Sequence, residues 1–337
     1  MNLVNLYKRF KPNYYQAIKD LTIHVGILSS TLYAMWYTKE SYMSYSFVPL
    51  LTLLQVKSFI ILHDCGHNNF FPNKHLNYII GSFLGITLMT PYSWNYDHEV
   101  HHKTSSKIDN TLYHKQNETI HHTFTQYNDM NILHKYITKM WRNPYMYFGC
   151  FSTFALVVMK FRVDIILDKL YYENKYSSTI YNICIDNIIN SIGIFILYSY
   201  NILLYYPIII SYVLFYNLIL MIFHNQHTFN KPYVKHTKEW TKNDSGLLGS
   251  SFILLPIYLK FFMYGIEYHH IHHMISSIPG YNLKGAHEYL EKTEPEFKNI
   301  VKLSMKDCYH NLWLTMYDEE EDKYISFKDA DQKIKNY

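Results

Sequence analysis

The residue whose number and spacing could do chemistry here is histidine. The chain has 20 of them in 337 residues, about three times ordinary usage. They fall into boxes. "HDCGH" places His63 and His67 at i and i+4, on one helical face. "HEVHH" places His98, His101 and His102 at i, i+3 and i+4, and "HHIHH" repeats that spacing with His269, His272 and His273. Between them lies "FHNQHTF", with His224 and His227. Imidazole binds zinc, copper, iron and nickel. A lone HxxxH is a common surface pairing, but three boxes at helix-face spacing, each close after an apolar run, point to metal. With His227 they offer nine ligands: His63, His67, His98, His101, His102, His227, His269, His272 and His273. One tetrahedral zinc takes at most four ligands from protein, so nine fit two metals with four or five nitrogens each.

Other chemistries fit parts of the pattern. "HEVHH" is a literal HExxH, with His98 and His102 as zinc ligands and Glu99 as base. That reading is an intramembrane zinc protease, and it leaves the first and third boxes unexplained. "EVHH" and "EYHH" match the Glu-x-x-His of soluble di-iron carboxylate bundles, but the two further glutamates on long amphipathic helices are not found. Glu99 and Glu267 are expected to support ligands or face solvent. A non-enzymatic metal carrier would place its ligands within the spans, whereas these gather at span ends. Asp64, Asp97, Asp109 and Asp244 are candidates to orient ligand imidazoles, against the ordinary alternative of surface or capping carboxylates. Trp94 and Tyr96, beside the second box, are candidates to line a substrate channel or to sit at headgroup level.

The elements that must bring the boxes together are apolar. Hydrophobic residues make up 49% of the chain and charged ones 17%, against roughly 25% charged in soluble domains. A mean hydropathy of -0.16 leaves room for a polar part outside the bilayer. Apolar stretches run over 21–37, 46–62, 76–92 and 145–159, with a double one over 188–223 broken near Asn201 and Pro207. A span needs about 20 residues. Lys8, Arg9, Lys11 and Lys19 precede the first stretch and favour a cytoplasmic N-terminus. Two crossings then return the chain to the cytoplasm at the first box. The second box must share that side, so 76–92 lies flat or dips in. An even number of crossings must follow, which the 188–223 hairpin supplies, leaving 145–159 interfacial. The expected fold is therefore an all-α integral membrane protein: four transmembrane helices, interfacial helices and a cytosolic histidine-rich di-metal cap.

A net charge of +4 without a basic block excludes a nucleic-acid grip. Cys65, Cys150, Cys184 and Cys308 form no CxxC, which favours a reducing compartment. No cleavable signal peptide is expected, because the first apolar run starts too far in. The run "DEEED" at 318–322 reads as a solvated face.

The quoted boxes resemble those of the membrane fatty acid desaturases. "HDCGHNNFF" and "TPYSWNYDHEVHHKTSSKID" are similar to the first and second boxes of the Δ12/ω-3 acyl-lipid branch. "RNPYMYFG" and "HNQHTFNKPYVKHTKEW" resemble the middle of bacterial and plastid-like members, and "GIEYHHIHHMISSIPGYNL" resembles the third box. The likeness runs over about 59–291 of a single domain spanning 1–337, with 292–337 as a polar cytosolic tail. It implies a non-haem di-iron centre, held by the nine histidines named above, that uses O2 and two electrons to remove two hydrogens from a fatty acyl chain. The expected product is a cis double bond in a C16–C18 chain, of Δ12 or ω-3 type. A fatty acyl hydroxylase on the same scaffold is the alternative. In another branch an asparagine near the fourth motif holds a metal-bound water; "HNQH" leaves that role for Asn225 open.

The substrate is expected to be an acyl lipid or acyl-CoA. No haem-binding His-Pro-Gly-Gly is present, so electrons are expected from a separate donor, cytochrome b5 or ferredoxin. "KIKNY" resembles a dilysine retrieval signal, which places the protein in the endoplasmic reticulum membrane if its source is eukaryotic or a eukaryotic virus. Of the eleven other histidines, His24, His75, His114, His121, His122, His134, His236, His287 and His310 are expected at surfaces or interfaces. His224 shares a face with His227. His270 is expected to stand off the metals, because it lies about 100° from His269 around a helix.

Overall fold

The computed structural model describes residues 3–108, 122–149, 161 and 178–336. The expected interfacial segment 145–159 falls mostly outside them, as do Asp109, His114, His121 and Cys150.

The N-terminal helices are α1 (Leu3–Phe10), α2 (Tyr14–Tyr37), α3 (Val48–Gly66), α4 (Lys74–Thr87) and α5 (Trp94–Thr104). Strand β1 (His122–Thr123) leads into the short helices α6 (Phe124–Asp129), α7 (Ile132–Arg142) and α8 (Pro144–Tyr147). The long hairpin is α9 (Ser178–Ser199) and α10 (Tyr206–His227). Helix α11 (Lys242–Leu248), β2 (Phe252–Ile253), α12 (Ile257–Met263), α13 (His269–Met274) and α14 (Gly280–Thr293) follow. Then come β3 (Lys302–Leu303), α15 (Met305–Asn311), β4 (Met316–Asp318), β5 (Lys323–Ile325) and α16 (Phe327–Asn336).

Among the described residues, three helical stretches are long and apolar enough to cross a membrane: Tyr42–Gly66, Ile180–Ser199 and Tyr206–His227. Helix α3 starts with Pro49 in its first turn and buries 15 of its 19 residues. A helix that is apolar all round belongs in a core or a bilayer. Helix α2 has 24 residues but is not among the three; Lys19, Asp20 and His24 interrupt its apolar run. Its expected start at 21 moves to Tyr14, where Asn13 accepts a hydrogen bond from Gln16 N at 2.8 Å and caps the helix. Helix α4 has 14 residues, about 21 Å at 1.5 Å per residue. That is well short of a hydrocarbon core of about 30 Å.

The double apolar stretch is two helices joined through Asn201, whose φ of 58° is left-handed. The first begins ten residues before the expected 188, because its polar residues have partners. Asp186 is buried and accepts from the Tyr78 hydroxyl at 2.9 Å. Lys57, inside the second apolar run, is also buried, with its ammonium 3.4 Å from the Phe261 ring centroid.

The main core lies between α3, α4 and α10, around Phe59, Phe215, Tyr216 and Leu84. Tyrosines bolt α10 to the end of α4: Tyr216 donates to the Leu88 carbonyl at 2.5 Å and Tyr212 to that of Thr87. A second core gathers α1, α13 and α14 around Leu6, Ile271, Leu283 and Phe297.

Residues after 292 pair with earlier segments through short strands. Strand β3 pairs parallel with β2, and β4 pairs parallel with β1 and antiparallel with β5. The acidic run is correspondingly split. Asp318 is buried against Lys333 at 2.8 Å, while Glu319 to Asp322 face solvent.

Short loops set the third box against the first. Gly265 has φ +91°, and a Cβ there would collide with the Gly280 carbonyl oxygen. Gly265→Ala should therefore lower stability by about 1–3 kcal/mol, seen as an earlier thermal unfolding of the solubilised protein. An unchanged melting temperature would contradict that account of the turn.

Candidate metal centre

Four helix ends deliver the boxes to one place. His63 is in the last turn of α3 and His67 is its C-cap. His98, His101 and His102 lie along α5. His227 ends α10, and His269, His272 and His273 make up half of α13. The side-chain nitrogens form two groups, each with its atoms within 4.8 Å of one another. One group is His63, His67, His98, His102 and His272; the other is His101, His227, His269 and His273. These are the nine residues singled out by spacing and resemblance, and the structure brings every one of them together. The i+3 member of the second box and the i and i+4 members of the third join the group that holds His227.

The spacing inside each group matches a shared cation better than mutual hydrogen bonds. Nε2 of His98 is 2.8 Å from that of His63 and 3.0 Å from that of His102, which is itself 2.9 Å from Nε2 of His272. In the second group, His227 Nε2 is 3.0 Å from His101 Nε2 and 2.9 Å from His269 Nε2. A ring nitrogen offers one N–H or one in-plane lone pair, so a single Nε2 cannot satisfy two such neighbours in line. A cation holding nitrogens at about 2.1 Å spaces adjacent ones roughly 3 Å apart and satisfies all the lone pairs at once. Nε2 of His67 and of His273 are buried with no hydrogen-bond partner in the protein, which suits ligand atoms.

The opposite ring edges are held in part by the protein. His227 Nδ1 donates to the Gly249 carbonyl at 3.1 Å, which leaves Nε2 as the lone-pair atom. His63 Nδ1 faces Asp64 Oδ1 at 3.2 Å, and Asp64 Oδ2 accepts from Gly280 N at 2.6 Å. Ser105 Oγ lies 3.5 Å from His273 Nδ1. Trp94 stacks on His98, with centroids 4.9 Å apart and planes at 21°.

Backbone ties lock the box loops. Asn69 Nδ2 donates to the Ser276 carbonyl at 2.6 Å, Tyr92 donates to the Cys65 carbonyl at 2.7 Å, and Gln226 Nε2 donates to the Ile266 carbonyl at 3.2 Å.

Burial pushes the pKa of His67, His98, His102, His269, His272 and His273 well below the ordinary imidazole range, and crowding by neighbouring rings adds to the shift. The neutral ring is the ligating form.

The other candidates sort themselves by geometry. Asp64 orients an imidazole, as anticipated. Asp97 is buried in α5. Asp244 is a capping residue instead: its N–H donates to Thr241 Oγ1 at 3.1 Å and its carboxylate accepts from that hydroxyl at 2.7 Å. Glu99, the base of the protease reading, is exposed and paired with Lys103 at 2.6 Å. His98 and His102 share their group with three more imidazoles, which an HExxH zinc site does not use. Glu267 is buried, and burial raises its pKa. Asn225 donates to the Met221 carbonyl at 2.9 Å. His224 lies outside both groups and donates to the Asn311 carbonyl at 2.8 Å. Tyr96 accepts from Asn182 Nδ2 at 3.1 Å.

Three of the histidines assigned to surfaces or set apart are buried. His24 bonds to Ser58 Oγ at 2.8 Å, and His270 bonds to His287 at 3.0 Å. No spacing signal could have found these pairs, since their members are 34 and 17 residues apart. His75, His134, His236 and His310 are exposed as expected.

Long apolar helices and two histidine groups able to hold metal are the marks of a membrane metalloprotein. The comparisons make the family explicit: the fatty acid desaturase profile matches residues 41–301, and the chain belongs to that family. It is 27% identical over 305 residues to a fatty acid desaturase of Bacillus subtilis, covering 88% of this chain and 82% of that one. It is 25% identical over 280 residues to a chloroplastic omega-6 fatty acid desaturase of Glycine max, covering 78% of this chain and 60% of that one. A ferredoxin-linked sn-1 acyl-lipid omega-3 desaturase of Nostoc is 33% identical over 111 residues, 30% of this chain and 28% of its own length. Thus the chain spans most of the bacterial relative and about three-fifths of the plant one.

Two outcomes test the centre. Because folding lowers the imidazole pKa values, the unfolded chain binds more protons below its own value of about 6.5. Stability is full above that pH and is lost as pH falls from it towards the depressed native values. The melting temperature should drop between pH 7.5 and 5; a flat profile would contradict the neutral buried cluster. Asp64→Ala should weaken metal retention by roughly 10–100-fold, read by dialysis against a chelator, and retention equal to wild type would show that Asp64 does not orient His63.

Proposed function

We propose that this protein inserts a cis double bond into a C16–C18 fatty acyl chain, at the Δ12 or ω-3 position, using a histidine-ligated di-iron centre, O2 and two electrons. The observation that carries this reading is the convergence of nine imidazoles into groups of five and four, in a chain of the desaturase family.

An unactivated methylene has no acidity, so carboxylate or serine catalysis cannot break its C–H bond. The iron pair, when bound, supplies the oxidising chemistry with O2. The chain's own residues do the rest. His63, His67, His98, His102 and His272 would hold one iron, and His101, His227, His269 and His273 the other. Asp64 and the Gly249 carbonyl fix ring orientation. Trp94, Phe59 and Phe223 form a buried aromatic wall against His98, which keeps water off the span side of the centre.

Four spans are proposed, with α2 as the fourth beside the three apolar stretches, in one domain over 1–337. The nine ligands then face the cytosol, with the protein in the endoplasmic reticulum membrane if its source is eukaryotic or a eukaryotic virus. A separate carrier, cytochrome b5 or ferredoxin, delivers the electrons; the ferredoxin named for the Nostoc relative favours an external donor of that kind. An acyl group on phospholipid or CoA is the substrate.

Expression in a yeast that lacks polyunsaturated lipids, with fatty acid methyl ester analysis, tests this. A new double bond is expected, and alanine at any of the nine histidines should abolish it while His310→Ala should not. Absence of product from folded, iron-loaded protein would overturn the reading. A hydroxylated acyl chain would replace it with the hydroxylase alternative.

A further inference from the structure

Four histidines outside the nine are buried, His24, His224, His270 and His287, and the last two pair with each other: His270 is 0% exposed and His287 is 4%. His270 Nε2 and His287 Nδ1 lie 3.0 Å apart. Rings of Phe252 and Tyr268 stand 5.0 and 5.1 Å from His287, and Phe297 stands 6.1 Å from His270. His287 Nε2 faces Glu291 at 3.9 Å, and Glu291 is held by Lys302 at 3.2 Å. Two imidazoles in so apolar a box are not there for packing, because leucine or phenylalanine would fill it without desolvating polar nitrogens. What the hydrogen bond adds is direction.

Helix α13 needs direction. It has six residues, HHIHHM, and no side-chain cap. So short a helix does not hold its own orientation. Three of its four histidines reach the two nitrogen groups, and the fourth reaches α14 instead. A rotation of about 20° would move atoms at a side-chain radius of about 5–6 Å by roughly 2 Å. That is the length of a metal–nitrogen bond, about 2.1 Å. Helix α14 is a fixed reference, since Gly280 N donates to Asp64 beside the first box and Asn282 Nδ2 donates to the Phe10 carbonyl at 2.8 Å.

We propose that His270 and His287 form an imidazole clamp that fixes the rotation of α13 and so keeps His269, His272 and His273 on the two metals. Both are positioning residues. The clamp joins the third box to the first through α14 and Asp64, and it rests on the reading of the nine histidines as iron ligands.

The test compares polar and apolar replacements at each position by the half-time for loss of bound iron to excess chelator. His287→Asn places an amide near Nδ1, and His270→Gln reaches to Nε2. These two should hold iron for close to the wild-type half-time. His287→Leu and His270→Met keep the volume without the bond and should lose iron about tenfold faster or more. Apolar variants that hold iron like wild type would overturn the clamp, as would amide variants that lose it as fast as the apolar ones. If one apolar variant does not fold, the pair at the other position decides. Wild-type protein that takes up no iron would overturn the metal-centre reading and the clamp with it. Wild type that holds iron while all four variants match it would overturn the clamp alone.

Discussion

Crowding nine imidazoles, most of them buried, into two groups of facing nitrogens is the constraint on which the rest of this structure depends. Each buried nitrogen without a partner costs on the order of 1–3 kcal/mol, and rings crowded this closely cannot satisfy one another. A cation at each focus would give the facing nitrogens a common partner. The fold therefore has to deliver neutral rings, hold them at fixed angles and keep water and protons away.

Each of these demands has a structural answer. Neutrality follows from burial beneath the helix ends. Fixed angles follow from hydrogen bonds on the far ring edges, through Asp64 for His63 and the Gly249 carbonyl for His227. The four contributing helices are tied to one another by bonds to backbone carbonyls rather than by long side-chain ion pairs. Tyr92 to Cys65, Asn69 to Ser276 and Gln226 to Ile266 each join two box-bearing segments. Apolar packing of α3 on α4 and α10 supplies the rigid base beneath them.

How much of this was legible in the sequence depended on the range of the interaction. The nine histidines could be read from i, i+3 and i+4 spacing and from family resemblance, because a helix turns local spacing into a shared face. Their division between the two foci could not, since it depends on how α5 and α13 are turned against each other. The hairpin was legible from its apolar length, but its true start was hidden by Asp186, whose polarity Tyr78 satisfies from α4. Asp244 carried a signal for both an orienting carboxylate and a cap, and Thr241 three residues before it decides for the cap. Asp318 looked solvated inside an acidic run, yet Lys333 from the last helix buries it. His270 and His287 show the same limit, because nothing in a single sequence joins residues across two helices.

The central claim is that the two nitrogen groups are two iron sites. Metal quantification of the purified protein, combined with iron X-ray absorption, tests it most directly. The account predicts two irons per chain with first shells dominated by imidazole nitrogen. One zinc per chain and no iron would contradict it.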